Sequence, residues 1–267
     1  MPRFAANLTM LFTEVSFLDR FARAAQAGFE GVEFLFPYDF PAGEIQRRLE
    51  DHRLSLVLHN LPAGDWAAGE RGIACHPDRV EEFRAGVDLA IGYAQALGVR
   101  RLNCLAGKAP AGVPGAVLHE TLVANLRYAA ARLRPAGLQL LIEPINTFDI
   151  PGVHLCRTRQ ALDLIEEVGA DNLLLQYDLY HAQRMEGELA ATLERELPRI
   201  GHVQVADNPG RHEPGTGEIN YGFLFGHLDR IGYAGWVGCE YKPARTTEAG
   251  LHWGTALCGQ QVAGVAA

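Results

Sequence analysis

Glu143, Asp178, Gln204 and Glu240 each stand at or near the carboxyl end of a separate apolar run, in LQLLIEPI, LLLQYD, IGHVQVAD and WVGCEY. Apolar runs of this length, alternating with helical stretches, read as buried parallel strands. A polar or charged group at the end of such a strand is costly to desolvate without a partner. Four on successive strands point to one shared partner, a divalent cation held by oxygen ligands at the mouth of a barrel. Without a cation the three carboxylates would raise one another's pKa values, and the nearby basic residues in sequence are Lys242 and Arg184. The plainer alternative is a set of strand-end glutamates in local salt bridges, and it needs three cations that these stretches do not supply. The chain reads as a metal-dependent enzyme.

Other residues cluster near the same predicted mouth. Pro144 disfavours helical geometry at Glu143 and ends its strand there. His202 shares a face with Gln204 by strand alternation but sits nearer the strand start, so Gln204 is the expected ligand on that strand. His181 follows Asp178 by three residues, where a neutral imidazole can donate to a substrate oxygen or ligate a metal. His59 ends the third strand and Lys108 lies just past the fourth. Lys108 and Arg211 are candidate partners for a substrate carboxylate. The bland reading of each is a helix cap, a core histidine or a solvated charge.

These residues need a scaffold that brings strand ends together. Strand candidates are 3–8, 31–36, 54–61, 100–107, 138–145, 173–178, 200–207 and 236–241, and a helical pattern follows each. The helical patterns cover 15–27, 41–51, 78–97, 117–134, 158–168, 186–197, 220–231 and 246–257. Right-handed crossovers and short links close such a series into a parallel (β/α)8 TIM barrel, here one domain over residues 1–267. A doubly wound open sheet would carry a Gly-rich turn after its first strand, and Asn7-Leu8-Thr9-Met10 is no such turn. The link at 62–77 is long and holds Trp66 and Arg71, as a lid over the site or a packed loop would.

Composition excludes several classes. The chain has 267 residues, close to the roughly 250 of a typical barrel, and 48% of them are hydrophobic. Net charge is −8 with no basic stripe, which argues against nucleic acid as partner. The five cysteines have no CxxC spacing, so a disulfide framework is not expected. No apolar stretch approaches a membrane span, and the start RFAANL has no secretory pattern; a cytoplasmic protein is expected. GxSxG is missing, and PGTGEIN (214–220) lacks the lysine and spacing of a phosphate loop, so it is expected to shape a turn.

HNLPAGDWAAGERGIAC (59–75), LLIEPIN (140–146), QYDLYHAQRMEGE (176–188), ADNPGRHEPGTGEINY (206–221) and WVGCEYKP (236–243) resemble the hydroxypyruvate isomerase family. That family includes 2-oxo-tetronate isomerases and lies among the xylose-isomerase-like barrels. The resemblance spans nearly the whole chain. It implies that Glu143 and Glu240 are the paired acid and base, and that one divalent ion binds through Glu143, Asp178, Gln204 and Glu240. Related epimerases carry histidine where this chain has Gln204, which favours a hard ion, Mg2+ or Mn2+. The implied reaction interconverts hydroxypyruvate and 2-hydroxy-3-oxopropanoate (tartronate semialdehyde) through an enediolate. No nucleotide cofactor is expected, and the partner is a small 2-oxo or hydroxy acid. A four-carbon 2-oxo acid or another small sugar acid is the alternative substrate. An apurinic-endonuclease-like enzyme and a non-catalytic sugar-acid binder are the rival functions.

Overall fold

The computed structural model describes residues 2–258. Its strands are β1 (Arg3–Asn7), β2 (Gly31–Glu33), β3 (Ser55–Asn60), β4 (Arg101–Cys104), β5 (Gln139–Ile142), β6 (Leu173–Asp178), β7 (Ile200–Val205) and β8 (Trp236–Cys239). Each pairs in parallel with the next, and β1 also pairs with β8 from Arg3↔Trp236 to Ala6↔Cys239, which closes the barrel. The helices are α1 (Arg20–Gln26), α2 (Ala42–His52), α3 (Val80–Leu97), α4 (Gly115–Leu133), α5 (Thr158–Val168), α6 (Leu179–Met185), α7 (Leu189–Glu196), α8 (Tyr221–Arg230), α9 (Thr247–Gly250) and α10 (Trp253–Cys258). No helix among the described residues is long and apolar enough to cross a membrane.

Alternation along each strand sorts the residues into two environments. Outward residues such as Leu140, Leu175, Val203, Val237 and Cys239 join the helices' apolar faces in the main core. The inward residues form a stack. Its lower layer is an apolar plug of Ala5, Val57, Leu58 and Leu141, with Leu174 and Trp236 against it. Further toward the carboxyl end the barrel is lined by buried polar groups: Asn7, Glu33, Asn103, Gln176, His202 and Gln204. Register shifts at Val32/Glu33 and at Leu175/Gln176 fall beside two of these residues. Such a bulge re-aims the side chains that follow it.

The predicted barrel is present, with four differences in its elements. β5 and β8 stop at Ile142 and Cys239, so Glu143 and Glu240 lie one residue beyond their strands. The stretch at 15–27 becomes helical as a short 3-10 turn, Phe17–Asp19, followed by α1. The helix expected over 186–197 is present as α7, and a further helix, α6, starts at once after Asp178 and is separated from it by a left-handed Glu188 (φ 50°). The last pattern, 246–257, divides in two, as α9 and α10. Cys75, Cys104 and Cys156 are free thiols, and the side chain of Cys258 lies outside those described.

Candidate active site

Asp178 is placed by its own helix. As N-cap of α6 it accepts a hydrogen bond from the Tyr180 backbone N–H on Oδ1 (2.8 Å). That fixes the carboxylate and leaves Oδ2 buried with no hydrogen-bond partner. Glu143, past the end of β5, accepts from Asn103 Nδ2 of β4 at 2.9 Å. Glu240, past the end of β8, accepts from Arg211 Nη2 at 2.6 Å and from Asn7 Nδ2 at 3.4 Å. The three carboxylates and His181 each bring one ligand atom into a group within 4.8 Å, and all four residues are buried. Such a group could hold a metal ion.

His181 enters this group with a defined tautomer. The Asn146 amide is oriented by Asp149, whose Oδ2 accepts from Asn146 Nδ2 (3.1 Å) and whose N–H donates to Asn146 Oδ1 (2.8 Å). The same Nδ2 (2.6 Å) and the Asn146 backbone N–H (3.4 Å) point at His181 Nδ1. Nδ1 is therefore the acceptor, and the network assigns the proton of the neutral ring to Nε2. Nε2 lies 3.7 Å from Asp178 Oδ2 and 3.9 Å from Glu143 Oε1, aimed into the carboxylate group.

Burial governs the electrostatics. It pushes the Glu143 carboxyl well above its ordinary range, and Glu240 and Asp178 push it further. Burial lifts Glu240 to about 8 against the opposing pull of Arg211, with Asp178 and Glu33 adding to the rise. Asp178 is raised mainly by burial, while Arg211 and the Tyr180 and His181 N–H groups restrain it. His181 is driven well below its usual value by burial, then by Arg211 and Arg184, and stays neutral. A site that accumulates protons in this way is short of positive charge.

Arg211 supplies some of that charge, although it lies far from the carboxylates in sequence. Its guanidinium is 2.6 Å from Glu240 and 3.8 Å from Asp178. The cation paired with these carboxylates is thus Arg211, which corrects to that extent the expectation, from the sequence neighbours Lys242 and Arg184, that local cations are lacking. Arg184 instead bonds Asp149 at 2.9 Å. Arg211 has a left-handed backbone (φ 55°), which costs a side-chain-bearing residue about 1–2 kcal/mol. The loop around it enforces that conformation. Asp207 accepts from the N–H groups of Asn208, Gly215 and Ile219, and Lys242 N–H donates to the Arg211 carbonyl at 2.7 Å. The PGTGEIN stretch does shape this turn: a Cβ on Gly217 would lie 2.0 Å from the Asn208 carbonyl oxygen.

The remaining predicted residues are less central. Gln204 is buried in register with Asp178, its Nε2 donating to Glu33 (2.7 Å) and its Oε1 accepting from Gln176 (2.6 Å). His202 lies one layer deeper, against Glu33 at 2.7 Å. His59 is wholly buried beside Phe34, and burial lowers it to about 4. Lys108 turns away, donating to the Gly69 carbonyl at 2.9 Å. A cavity of about 370 Å³ opens over Glu143, His181, Arg211 and Glu240, and neither His59 nor Lys108 lines it. Its other basic lining residues are Arg71 and Lys242. Arg71 comes from the long 62–77 link, where it stacks on Trp66 at 3.9 Å and bonds two carbonyls of its own loop.

A closed barrel with acid-rich strand ends at its carboxyl face defines a class, and comparison with known proteins places the chain in it. Residues 21–257 match the protein-family model for the xylose isomerase-like TIM barrel, and the chain belongs to that family. It is 62% identical to hydroxypyruvate isomerase of Escherichia coli over 95% of this chain and 98% of that one. It is 49% identical to 2-oxo-tetronate isomerase of Cupriavidus necator, over 95% and 97% of the two chains. A Brucella melitensis protein described as AP endonuclease, family 2, has a crystal structure that superposes with a TM-score of 0.93. Its identity is 50%, over 96% of this chain and 99% of that one. The chain is an isomerase.

Proposed function

We propose that the chain interconverts hydroxypyruvate and tartronate semialdehyde in a divalent-cation-dependent reaction, with Glu143 and Glu240 as the acid/base pair. The observation that carries this reading is the buried group of Glu143, Asp178 and Glu240 around an Asp178 oxygen that accepts no hydrogen bond, with Arg211 and His181 no nearer than 3.7 Å. A dication would satisfy that buried oxygen, and carboxylate oxygen donors suit a hard ion. Glu143, Asp178 and Glu240 would hold it. Gln204 is the fourth ligand proposed, since an amide oxygen that accepts from Gln176 keeps a second lone pair. The cation would draw electron density from the carbonyl and hydroxyl oxygens of the substrate and hold the carboxylates ionised.

The protein's own groups account for the rest. One glutamate removes the proton on C3 of hydroxypyruvate, and the resulting enediolate takes a proton at C2 from the other glutamate. The hydroxyl proton moves from O3 to O2 over the same step. His181, with its proton on Nε2, donates to one of these oxygens. Arg211 offsets the negative charge that develops and, with Arg71 and Lys242 along the cavity wall, accommodates the substrate carboxylate. A volume near 370 Å³ suits a small acid.

A four-carbon 2-oxo-tetronate is the second reading, favoured by the 49% identical relative of that name. The test is a kinetic comparison of three- and four-carbon 2-oxo acids on the purified protein, with added Mg2+ or Mn2+ and with chelator. Chelator-sensitive turnover preferring hydroxypyruvate supports the proposal. Equal turnover in chelator, or cleavage of abasic duplex DNA without isomerisation, overturns it.

A further inference from the structure

Beneath the carboxylate group lies a second buried acid to which the proposed reaction assigns no role. Glu33, at the end of β2, is fully buried inside the barrel. Its Oε1 receives Asn7 Nδ2 at 3.0 Å and Gln204 Nε2 at 2.7 Å, and its Oε2 meets His202 Nε2 at 2.7 Å. The space for it is made by Gly238 on β8, where a Cβ would lie 2.4 Å from both carboxylate oxygens. The register shift at Val32/Glu33 accompanies its inward turn. A buried carboxylate is an expensive way to fill a barrel that apolar side chains pack well, as they do in the plug below.

The geometry points to Glu33 as the positioning residue that orients the Gln204 amide and steadies Glu240, so that oxygens and not an NH2 group face the cation. This rests on the metal reading of the site given above. An amide has two ends of similar shape and opposite polarity, and a flipped Gln204 would offer hydrogens to a dication. Glu33 removes the ambiguity because its Oε1 takes the Nε2 end of the amide. The carbonyl end is thereby turned toward β6, the strand that carries Gln176 and Asp178. The same Oε1 shares the Asn7 NH2 group with Glu240 Oε1, at 3.0 and 3.4 Å, so one acid reaches two of the proposed ligands. Outer hydrogen-bond partners of this kind commonly govern metal affinity by 10–100-fold.

The experiment titrates the metal-stripped full-length protein with Mn2+ by calorimetry at fixed pH, and follows thermal melting alongside. Glu33→Gln should weaken Mn2+ binding about 10–100-fold, because its amide no longer dictates which end of Gln204 it meets. The swap Glu33→Gln with Gln204→Glu restores an amide-to-carboxylate contact and makes both ends of residue 204 oxygen. It should bind Mn2+ at least as tightly as the wild type. Unchanged affinity in a folded Glu33→Gln variant overturns the inference. So does a swap variant ten-fold or more weaker than wild type, which decides the matter even if Glu33→Gln alone does not fold. Wild-type protein that takes up no Mn2+ overturns the metal reading itself, a failure distinct from either of these.

Discussion

Proton release on metal binding follows from the burial of the site carboxylates. In the metal-free protein Glu240 titrates at about 8, so at pH 7 roughly nine-tenths of the molecules carry a proton there, and at pH 9 roughly one-tenth. A cation must displace that proton to bind. Uptake at pH 7 should therefore release on the order of one proton or more from the coupled Glu143 and Glu240 carboxyls, both of which burial raises. Affinity should rise about ten-fold between pH 7 and pH 9 from the Glu240 contribution. Stability follows the same sign. A carboxyl raised above its unfolded value favours the folded state fully at low pH and loses that effect as pH climbs through the folded value. The metal-free protein should thus melt progressively lower as pH rises from the ordinary carboxylate range toward 8, and the gap to the metal-loaded protein should widen. Calorimetric titration with Mg2+ in two buffers of different ionisation enthalpy counts the protons directly. Release of less than about half a proton at pH 7, with affinity flat to pH 9, would refute the reasoning.

Further outcomes follow from the same geometry. Glu143→Gln and Glu240→Gln keep an oxygen in place but remove the base, so each should cut turnover about 10²–10⁴-fold, with metal content measured on the same samples. Asp178→Ala removes the buried oxygen that accepts no hydrogen bond and should abolish metal uptake by elemental analysis; retained stoichiometric metal would count against it. Arg211→Met deletes the guanidinium that holds Glu240 and Asp178 down, so the pH midpoint of metal binding should move upward. A midpoint unchanged or lowered would assign Arg211 no electrostatic part in the site.

The barrel was legible because its strands are short apolar runs separated by amphipathic helices, a pattern that few other topologies share. The strand-end carboxylates were legible for the same reason, since the end of a run marks the mouth. What escaped depended on backbone detail. Arg211 was visible as a candidate, but its pairing with Glu240 depends on a left-handed residue in a long loop, and no spacing rule reports that. Lys108 was placed near the mouth correctly by position, yet its side chain follows the extended backbone that pairs with Val153 and turns to Gly69. Glu33 sat unnoticed within an apolar GVEFLF run that reads as continuous strand. The signal that could have found it is a lone acid among residues expected to be buried. α6 fell outside the helical span expected after β6, 186–197, because its seven residues make about two turns and begin directly from a strand. The cap that starts it, Asp178, had already been assigned to the site.

The account's central claim is proton transfer between carbons by two glutamates, and isotope incorporation tests it most directly. Hydroxypyruvate is turned over by the metal-loaded protein in deuterated water, and the tartronate semialdehyde formed is trapped and examined at C2, beside a control for non-enzymatic exchange. Deuterium at C2 above that control is the predicted result. Product that carries only the original substrate hydrogen at C2 would contradict it and indicate a hydride shift.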